Sequence, residues 1–146
     1  IILGAAGALS NWLVDQEVPN KLFEFSKTWV HSAGMFLMLL NLVLLMVGMF
    51  IDIFSAIVIL TPLLVPVAVA YGIHPVHFGI VMLANLQIGY CTPPVGLNLF
   101  LASYRFDKPI AELCIATLPF LALLFATLMI ITYFPWLSTV LIHLVG

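Results

Sequence analysis

The stretch of this sequence best equipped for chemistry runs Asn85-Leu86-Gln87-Ile88-Gly89-Tyr90-Cys91-Thr92-Pro93-Pro94-Val95-Gly96-Leu97-Asn98. It places side-chain oxygens at Asn85, Gln87, Thr92 and Asn98 around a tandem proline, inside an apolar run from Phe78 to Tyr104. Neither proline has an N–H. The carbonyls of Gly89 and Tyr90 therefore lose their usual helical donors, and the rings clash with the preceding turn. Gly96 allows backbone angles closed to other residues. These residues predict a helix broken in mid-segment. Carbonyls freed in hydrocarbon must find a partner. Neighbouring helices and hydroxyls can repair such a kink, or a cation can bind there. Unwound carbonyls and half-helix C-terminal ends hold cations in transporters, while half-helix N-termini face anionic substrate groups. Two prolines in tandem, with Thr92 before and Gly96 after, favour the ion- or substrate-lining reading.

Asp52 is the single ionisable residue inside the apolar segments. A carboxylate in such a place lines a bundle interior or a pathway, or caps a helix start by accepting backbone N–H groups. Both readings stand. His74 and His77 lie three apart, but Pro75 between them argues against a helical metal pair. The segment 72–77 reads as a solvated turn with an interfacial histidine, and His31 and His143 read the same way. Cys91 and Cys114 have neither metal spacing nor the setting of a secreted disulfide scaffold, and read as inert buried thiols. There is no His-Glu-x-x-His pattern, no pair of intramembrane carboxylates and no nucleotide-binding loop, so nothing points to an enzyme.

Composition sets the solvent. Hydrophobic residues make up 64% and charged residues 7% of the chain, against about 25% charged in an ordinary soluble domain. This is an all-α polytopic membrane protein. The net charge of −2 gives no reason to expect nucleic acid. The chain opens in the middle of an apolar run, as a piece of a longer protein would.

The elements follow from hydropathy. Residues 1–14 read as the end of a transmembrane helix, with Gly4 and Gly7 suited to close packing. Residues 15–32 hold half of the charged side chains and read as an amphipathic helix in the membrane interface. Pro19 falls in its first turn, Leu22, Phe25, Ser26, Trp29 and Val30 on one face, and Trp29 at the interface as an anchor. Residues 33–71 read as a re-entrant helical hairpin. Its turn, Gly48-Met49-Phe50-Ile51-Asp52-Ile53-Phe54-Ser55, is too apolar for water and suits a tip buried in protein. Pro62 and Pro66 would kink the second arm, with Thr61 satisfying a freed carbonyl. Residues 78–104 form the broken helix, 105–112 a polar loop and 113–134 a final span containing Pro119. Pro135 to Ser138 then reads as an interfacial end with a short apolar tail. The hairpin returns the chain to its starting side, so 15–32 and 72–77 share one side and 105–112 lies opposite. Charge does not orient the chain, because Lys21 and Lys27 balance Arg105 and Lys108.

Several of these residues also carry a likeness. Thr92-Pro93-Pro94-Val95-Gly96, preceded by His77-Phe78-Gly79-Ile80-Val81-Met82 and Asn85-Leu86, resembles the C-terminal part of the large membrane subunit of TRAP transporters (tripartite ATP-independent periplasmic, DctM-type). So does Gly48-Met49-Phe50-Ile51-Asp52, followed by Leu60-Thr61-Pro62 and Pro66. The resemblance covers roughly residues 33–146. It implies one half of an inverted-repeat, elevator-type transporter in a bacterial cytoplasmic (inner) membrane, with 15–32 as an arm joining scaffold to moving part. It implies a hairpin that opens to the periplasm. It also implies three partners besides the lipid bilayer: a small four-helix membrane subunit, a periplasmic substrate-binding protein and the N-terminal remainder of the same subunit.

The leading expectation is sodium-coupled uptake of an organic acid of the C4-dicarboxylate or sialic acid class, with no cofactor beyond the coupling sodium ion. A hairpin tip of Gly48, Asp52 and Ser55 meets the unwound segment. Sodium takes oxygens, mostly backbone carbonyls, at Gly89, Tyr90, Thr92, Pro93 and Gly96, with the Thr92 hydroxyl as a further candidate. Asn85, Pro94 and Asn98 face substrate, and the half-helix after Gly96 offers its N–H groups to a carboxylate. A stand-alone sodium–carboxylate symporter and a channel pore are the alternatives. A carbonyl filter comes from a ring of identical loops, which tandem proline does not suit.

Overall fold

The computed structural model describes the backbone of residues 2–30 and 32–145 and the side chains of residues 4–30 and 32–140. The readings of His31 and His143 lie outside the described side chains. Eight helices follow in order: α1 (Ile2–Asp15), α2 (Val18–Trp29), α3 (Ala33–Phe50), α4 (Ile53–Ala70), α5 (Pro75–Tyr90), α6 (Leu97–Phe106), α7 (Ile110–Tyr133) and α8 (Pro135–Val145). There is no strand among the described residues. α3, α4 and α7 are each long and apolar enough to cross a membrane. α5, of 16 residues, reaches about 24 Å at 1.5 Å per residue, short of a hydrocarbon core about 30 Å thick.

Local chemistry explains where these helices begin. Ser32 caps α3 by accepting the Met35 N–H, and Asp52 caps α4 by accepting the Ser55 N–H at 2.9 Å. Three starts are set by proline. A proline in the first turn gives up an N–H that no helical carbonyl would have received. Pro19 opens α2, Pro75 opens α5 and Pro135 opens α8. Two readings change as a result. The segment 72–77 is not a solvated turn throughout: His77 lies in the first turn of α5, 1% exposed, with Nδ1 3.0 Å from the Ser138 hydroxyl. The stretch after Phe134 is a helix, α8, rather than an irregular end and tail. In both places proline starts a helix instead of blocking one.

α3 and α4 are joined by two residues, Ile51 and Asp52. Yet α3 makes its closest packing with α5, and α4 with α1; the two arms touch each other much less. α4 continues as a helix through Pro62 and Pro66. The Thr61 hydroxyl donates to Met82 Sδ of α5 at 3.9 Å rather than repairing a carbonyl of its own helix. Gly4 and Gly7 meet nothing within 4 Å, so they are not close-packing sites in this structure. The core gathers Phe36, Leu40 and Leu44 of α3, Ala56, Val67 and Ala68 of α4, and Phe78, Met82 and Leu86 of α5.

α2 lies across the base of the α3–α4 pair. Leu22, Phe25, Ser26, Trp29 and Val30, the apolar face read from the sequence, line a groove against Phe36, Leu40, Leu64 and Val67. Tyr71, just past α4, fastens α2 in place. Its ring stacks on Phe36 with centroids 4.7 Å apart and meets Phe23 edge-on at 5.4 Å. Its hydroxyl lies 2.9 Å from Ser26 Oγ and 3.4 Å from the Val30 carbonyl. The Ser26 Oγ hydrogen goes to the Phe23 carbonyl, and the single tyrosine hydroxyl hydrogen has two acceptors in reach, Ser26 Oγ and the Val30 carbonyl. Tyr71→Phe keeps the rings and removes that donor. It is expected to cost about 1 kcal/mol, the net worth of one hydrogen bond, and to lower the unfolding midpoint of the solubilised protein. An unchanged midpoint would show that the rings alone hold α2.

Candidate functional site

The site is built by two helices that run side by side in the same direction. Asn41 of α3 bonds Asn85 of α5, and farther along both chains Gly48 meets Leu86 and Gly89. At Gly89 the two backbones touch. A Cβ added there would stand 2.8 Å from the Gly48 Cα, the Gly48 carbonyl carbon and the Leu45 carbonyl oxygen. At Gly48 it would stand 3.0 Å from the Leu86 carbonyl oxygen. Small residues permit this approach where apolar burial offers little drive between helices. α3 ends two residues beyond Gly48 and α5 one residue beyond Gly89. The glycine contact therefore sets two helix C-terminal ends at one level.

Each chain then turns and starts another helix. α4 begins behind Asp52 and α6 behind Gly96. A cavity of about 60 Å³ lies between the two turns, lined by Gly48, Phe50, Asp52, Tyr90, Val95 and Leu97 among others. That is the liquid volume of about two waters. Helix C-terminal ends carry partial negative charge and helix starts partial positive charge. The cavity thus has two negative helix ends, two positive helix starts and one carboxylate around it.

The break itself departs from simple helix loss. Gly89 does not leave its carbonyl free: it accepts the Thr92 N–H at 2.9 Å. The Ile88 carbonyl takes the Cys91 N–H at 3.0 Å and the Thr92 hydroxyl at 2.7 Å. The chain tightens into a turn just before Pro93 and so recovers donors that the prolines cannot supply. Tyr90 is different. Its helical donor would be the nitrogen of Pro94, which carries no hydrogen, so its carbonyl has no helical partner, and Tyr90 is one of the residues lining the cavity. The Pro93-Pro94 bond is cis. Gly96 has φ +39°, and a Cβ on it would meet the Thr92 carbonyl oxygen at 2.8 Å. Both facts require glycine.

The remaining predicted residues divide by position. Asp52 is the cap of α4, with Oδ2 on the Ser55 N–H, and it also lines the cavity. Ser55 is buried in the first turn of α4 and does not line the cavity. Pro93 and Pro94 are exposed beside the break. Asn98 donates to Cys91 Sγ at 3.2 Å, across the break. Cys91 is thus a half-exposed acceptor rather than an inert buried thiol, a role its apolar neighbours in sequence gave no sign of. Asn85 is fully buried, and its amide is committed to Asn41 and the Val81 carbonyl. It stands behind the cavity and not on its wall. Asn41 and Thr132, which complete that cluster, were legible only as lone polar residues in apolar runs. Among the described residues no three His, Cys, Asp or Glu side chains come together as metal ligands. A cation in this cavity would be held mainly by backbone oxygens with Asp52.

The glycine contact makes a sharp comparison available within one helix. Gly79 of α5 has nothing within 4 Å of an added Cβ. Gly79→Ala is expected to be neutral or to stabilise by up to about 1 kcal/mol through helix propensity. Gly89→Ala is expected to destabilise by about 1–3 kcal/mol or more through overpacking against backbone. Thermal unfolding of the two purified variants checks this, and equal midpoints would refute the close approach.

Residues 1–137 match the family model for the DctM component of the tripartite ATP-independent periplasmic transporters. The chain is 40% identical over 149 residues to the C4-dicarboxylate TRAP transporter large permease protein DctM of Rhodobacter capsulatus, covering 99% of this chain and 33% of that one. It is 41% identical over 125 residues to the sialic acid TRAP transporter large permease protein SiaM of Vibrio cholerae, covering 85% and 29%. It is 40% identical over 135 residues to the isethionate TRAP transporter permease protein DctMQ of Oleidesulfovibrio alaskensis, covering 92% and 21%. The chain thus spans a third or less of the length of these relatives. They are named as transporter permeases and not as enzymes. With its all-helical architecture, its apolar spans and this match along nearly its whole length, the chain belongs to the DctM family of TRAP transporter large permease subunits.

Proposed function

We propose that this chain supplies the ion- and anion-binding part of the large subunit of a sodium-coupled TRAP transporter, which imports an organic acid handed over by a periplasmic binding protein. The observation that carries the proposal is the convergence at one small cavity. Two helix C-terminal ends and Asp52 favour a hard cation there, and the starts of α4 and α6 favour an anion beside it. Sodium takes the Tyr90 carbonyl, the open carbonyls at the end of α3 and the Asp52 carboxylate, while Thr92 stands off the cavity wall with its carbonyl beside Gly96. The tightened turn at Gly89 holds those oxygens in place, and Pro93 and Gly96 shape the loop around them. The substrate's acidic group sits at the free N–H groups of Leu97 and Asn98, beside Pro94, with the Asn98 amide as a further donor.

The substrates in the relatives' names, C4-dicarboxylate, sialic acid and isethionate, are all organic anions, which suits a helix start without an intramembrane arginine or lysine. In this reading α3 and α4 form a re-entrant hairpin whose tip meets the broken helix near the bilayer midplane. The remainder of the subunit supplies an inverted counterpart, and the assembly sits in the bacterial inner membrane with a small membrane subunit. The hairpin and broken helix move together, elevator-like, against a scaffold to which α2 is the arm. The sequence carries no nucleotide-binding loop, and the driving force in this reading is an ion gradient.

The test is uptake by the full-length protein, reconstituted in liposomes with its small subunit and supplied with its binding protein. Labelled organic acids are expected to accumulate only with an inward sodium gradient and the binding protein together. Accumulation without the binding protein would replace this reading with a stand-alone symporter, and gradient-independent flux with a channel. In the same assay Asp52→Asn, which keeps a capping oxygen but not the charge, is expected to raise the sodium concentration for half-maximal uptake about tenfold, equivalent to about 1.4 kcal/mol. A lower protein yield with unchanged sodium dependence would leave Asp52 as a helix cap alone.

A further inference from the structure

Three polar side chains lie in the apolar body behind the cavity. Asn85 of α5 donates through Nδ2 to Asn41 Oδ1 of α3 at 2.7 Å and to the Val81 carbonyl at 2.8 Å. Asn41 Nδ2 donates to Thr132 Oγ1 of α7 at 3.1 Å. The single Thr132 hydroxyl hydrogen goes to the Leu128 carbonyl at 2.8 Å, so Thr132 meets Asn41 as an acceptor. All three side chains are buried. Asn85 stands one helical turn before Gly89, and Asn41 two turns before Gly48. The cluster and the glycine contact are thus two points on the same line between α3 and α5.

We propose that Asn41, Asn85 and Thr132 are positioning residues for the cation cavity: a hydrogen-bonded clasp that sets the axial register of α3 against α5, and so brings their two C-terminal ends level. The proposal deepens the ion-site reading above and rests on it. The glycine contact permits close approach but does not choose a register. The apolar side chains around it make non-directional contacts, which by themselves do not fix a register. The bond from Asn85 Nδ2 to Asn41 Oδ1 forms in one register, and a slip by a helical turn would strand further polar groups in hydrocarbon. Asn85 Oδ1 has no partner, so the cluster is not the arrangement that would stabilise the interface most. What it contributes is specificity of alignment. The link to Thr132 carries the same alignment to α7, which has few other buried residues.

The experiment uses the full-length transporter with its partner proteins in liposomes. Asn41→Leu with Asn85→Leu removes both partners together, so no orphaned amide remains between them. Spin labels at Met46 and Leu83, both exposed, report the register of α3 against α5 in a background freed of native cysteines. The double variant is expected to shift or broaden that distance distribution. It is expected to raise the half-saturating concentrations of sodium and substrate about tenfold while the maximal rate stays within about threefold. Thr132→Val is expected to act in the same direction with a smaller shift, and serves if the double variant does not fold. Thr132→Ser, which keeps the acceptor, is expected to behave as the parent. An unchanged distance distribution would overturn the clasp. So would a changed distribution with both half-saturations unmoved. If the parent itself needs no sodium, the sodium reading fails instead, and the substrate half-saturation alone decides the clasp.

Discussion

The backbone contact between Gly48 and Gly89 is the constraint on which the rest of this structure depends. It is a contact between main chains, with no room for a methyl group on either side. Because α3 and α5 run in the same direction through it, and each ends within two residues of it, their open carbonyl ends arrive together. A wider separation, or an antiparallel pairing, would leave one negative helix end beside a helix body. The cavity next to the contact owes its charge pattern to this alignment. The side chains on its wall supply one carboxylate and otherwise shape.

A second constraint comes from the solvent. In an apolar body each polar backbone group needs a partner, and the chain finds one at nearly every irregular point. Ser32 and Asp52 cap helix starts, Pro19, Pro75 and Pro135 remove a donor where none is needed, and Thr92 turns its hydroxyl onto Ile88. The exceptions stand out against that background. The carbonyl of Tyr90 has no helical donor because of Pro94, as those of Val58, Pro62 and Ile115 have none because of Pro62, Pro66 and Pro119; of these four residues Tyr90 is the one that lines the cavity. Asn85 Oδ1 and His77 Nε2 are buried without partners, both on α5. Among the described residues, both of these buried side-chain atoms lie on the helix that carries the break.

The hairpin is less of a unit than its sequence position implies. α3 belongs with α5, α4 with α1 and α2, and the connection at Ile51–Asp52 joins two packing groups. Tyr71 closes the far end by tying α2 to the base of both arms. Motion of α2 relative to the core would therefore be felt first at Tyr71 and Phe36, at the opposite end of α3 from the cavity. This separation keeps the packing of α2 away from the cavity end of α3.

Composition determined that the chain is membrane-bound, since 64% hydrophobic residues admit few other solvents, and the length of its apolar runs determined that it is helical. Periodicity determined the apolar face of α2. The tandem proline and Gly96 determined where the long helix breaks, because a missing N–H and a left-handed φ are properties of single residues. Asp52 as a cap was legible for the same reason. Partnership between distant residues was not. Gly48 read as part of a hairpin tip and Gly89 as a carbonyl ligand of sodium, and only the crossing of α3 and α5 shows how closely the two backbones approach there. Asn85 read as a group facing substrate, and tertiary structure turned it onto Asn41, since a polar residue in an apolar run looks the same in sequence whether its partner is a ligand or a helix. The carbonyl of Gly89 read as free because a linear pattern shows which donors proline removes, and not the turn by which the chain replaces them. Sequence determines what each residue can do alone; the fold decides which groups meet, because hydrogen bonds and steric contact depend on distances that spacing along the chain does not contain.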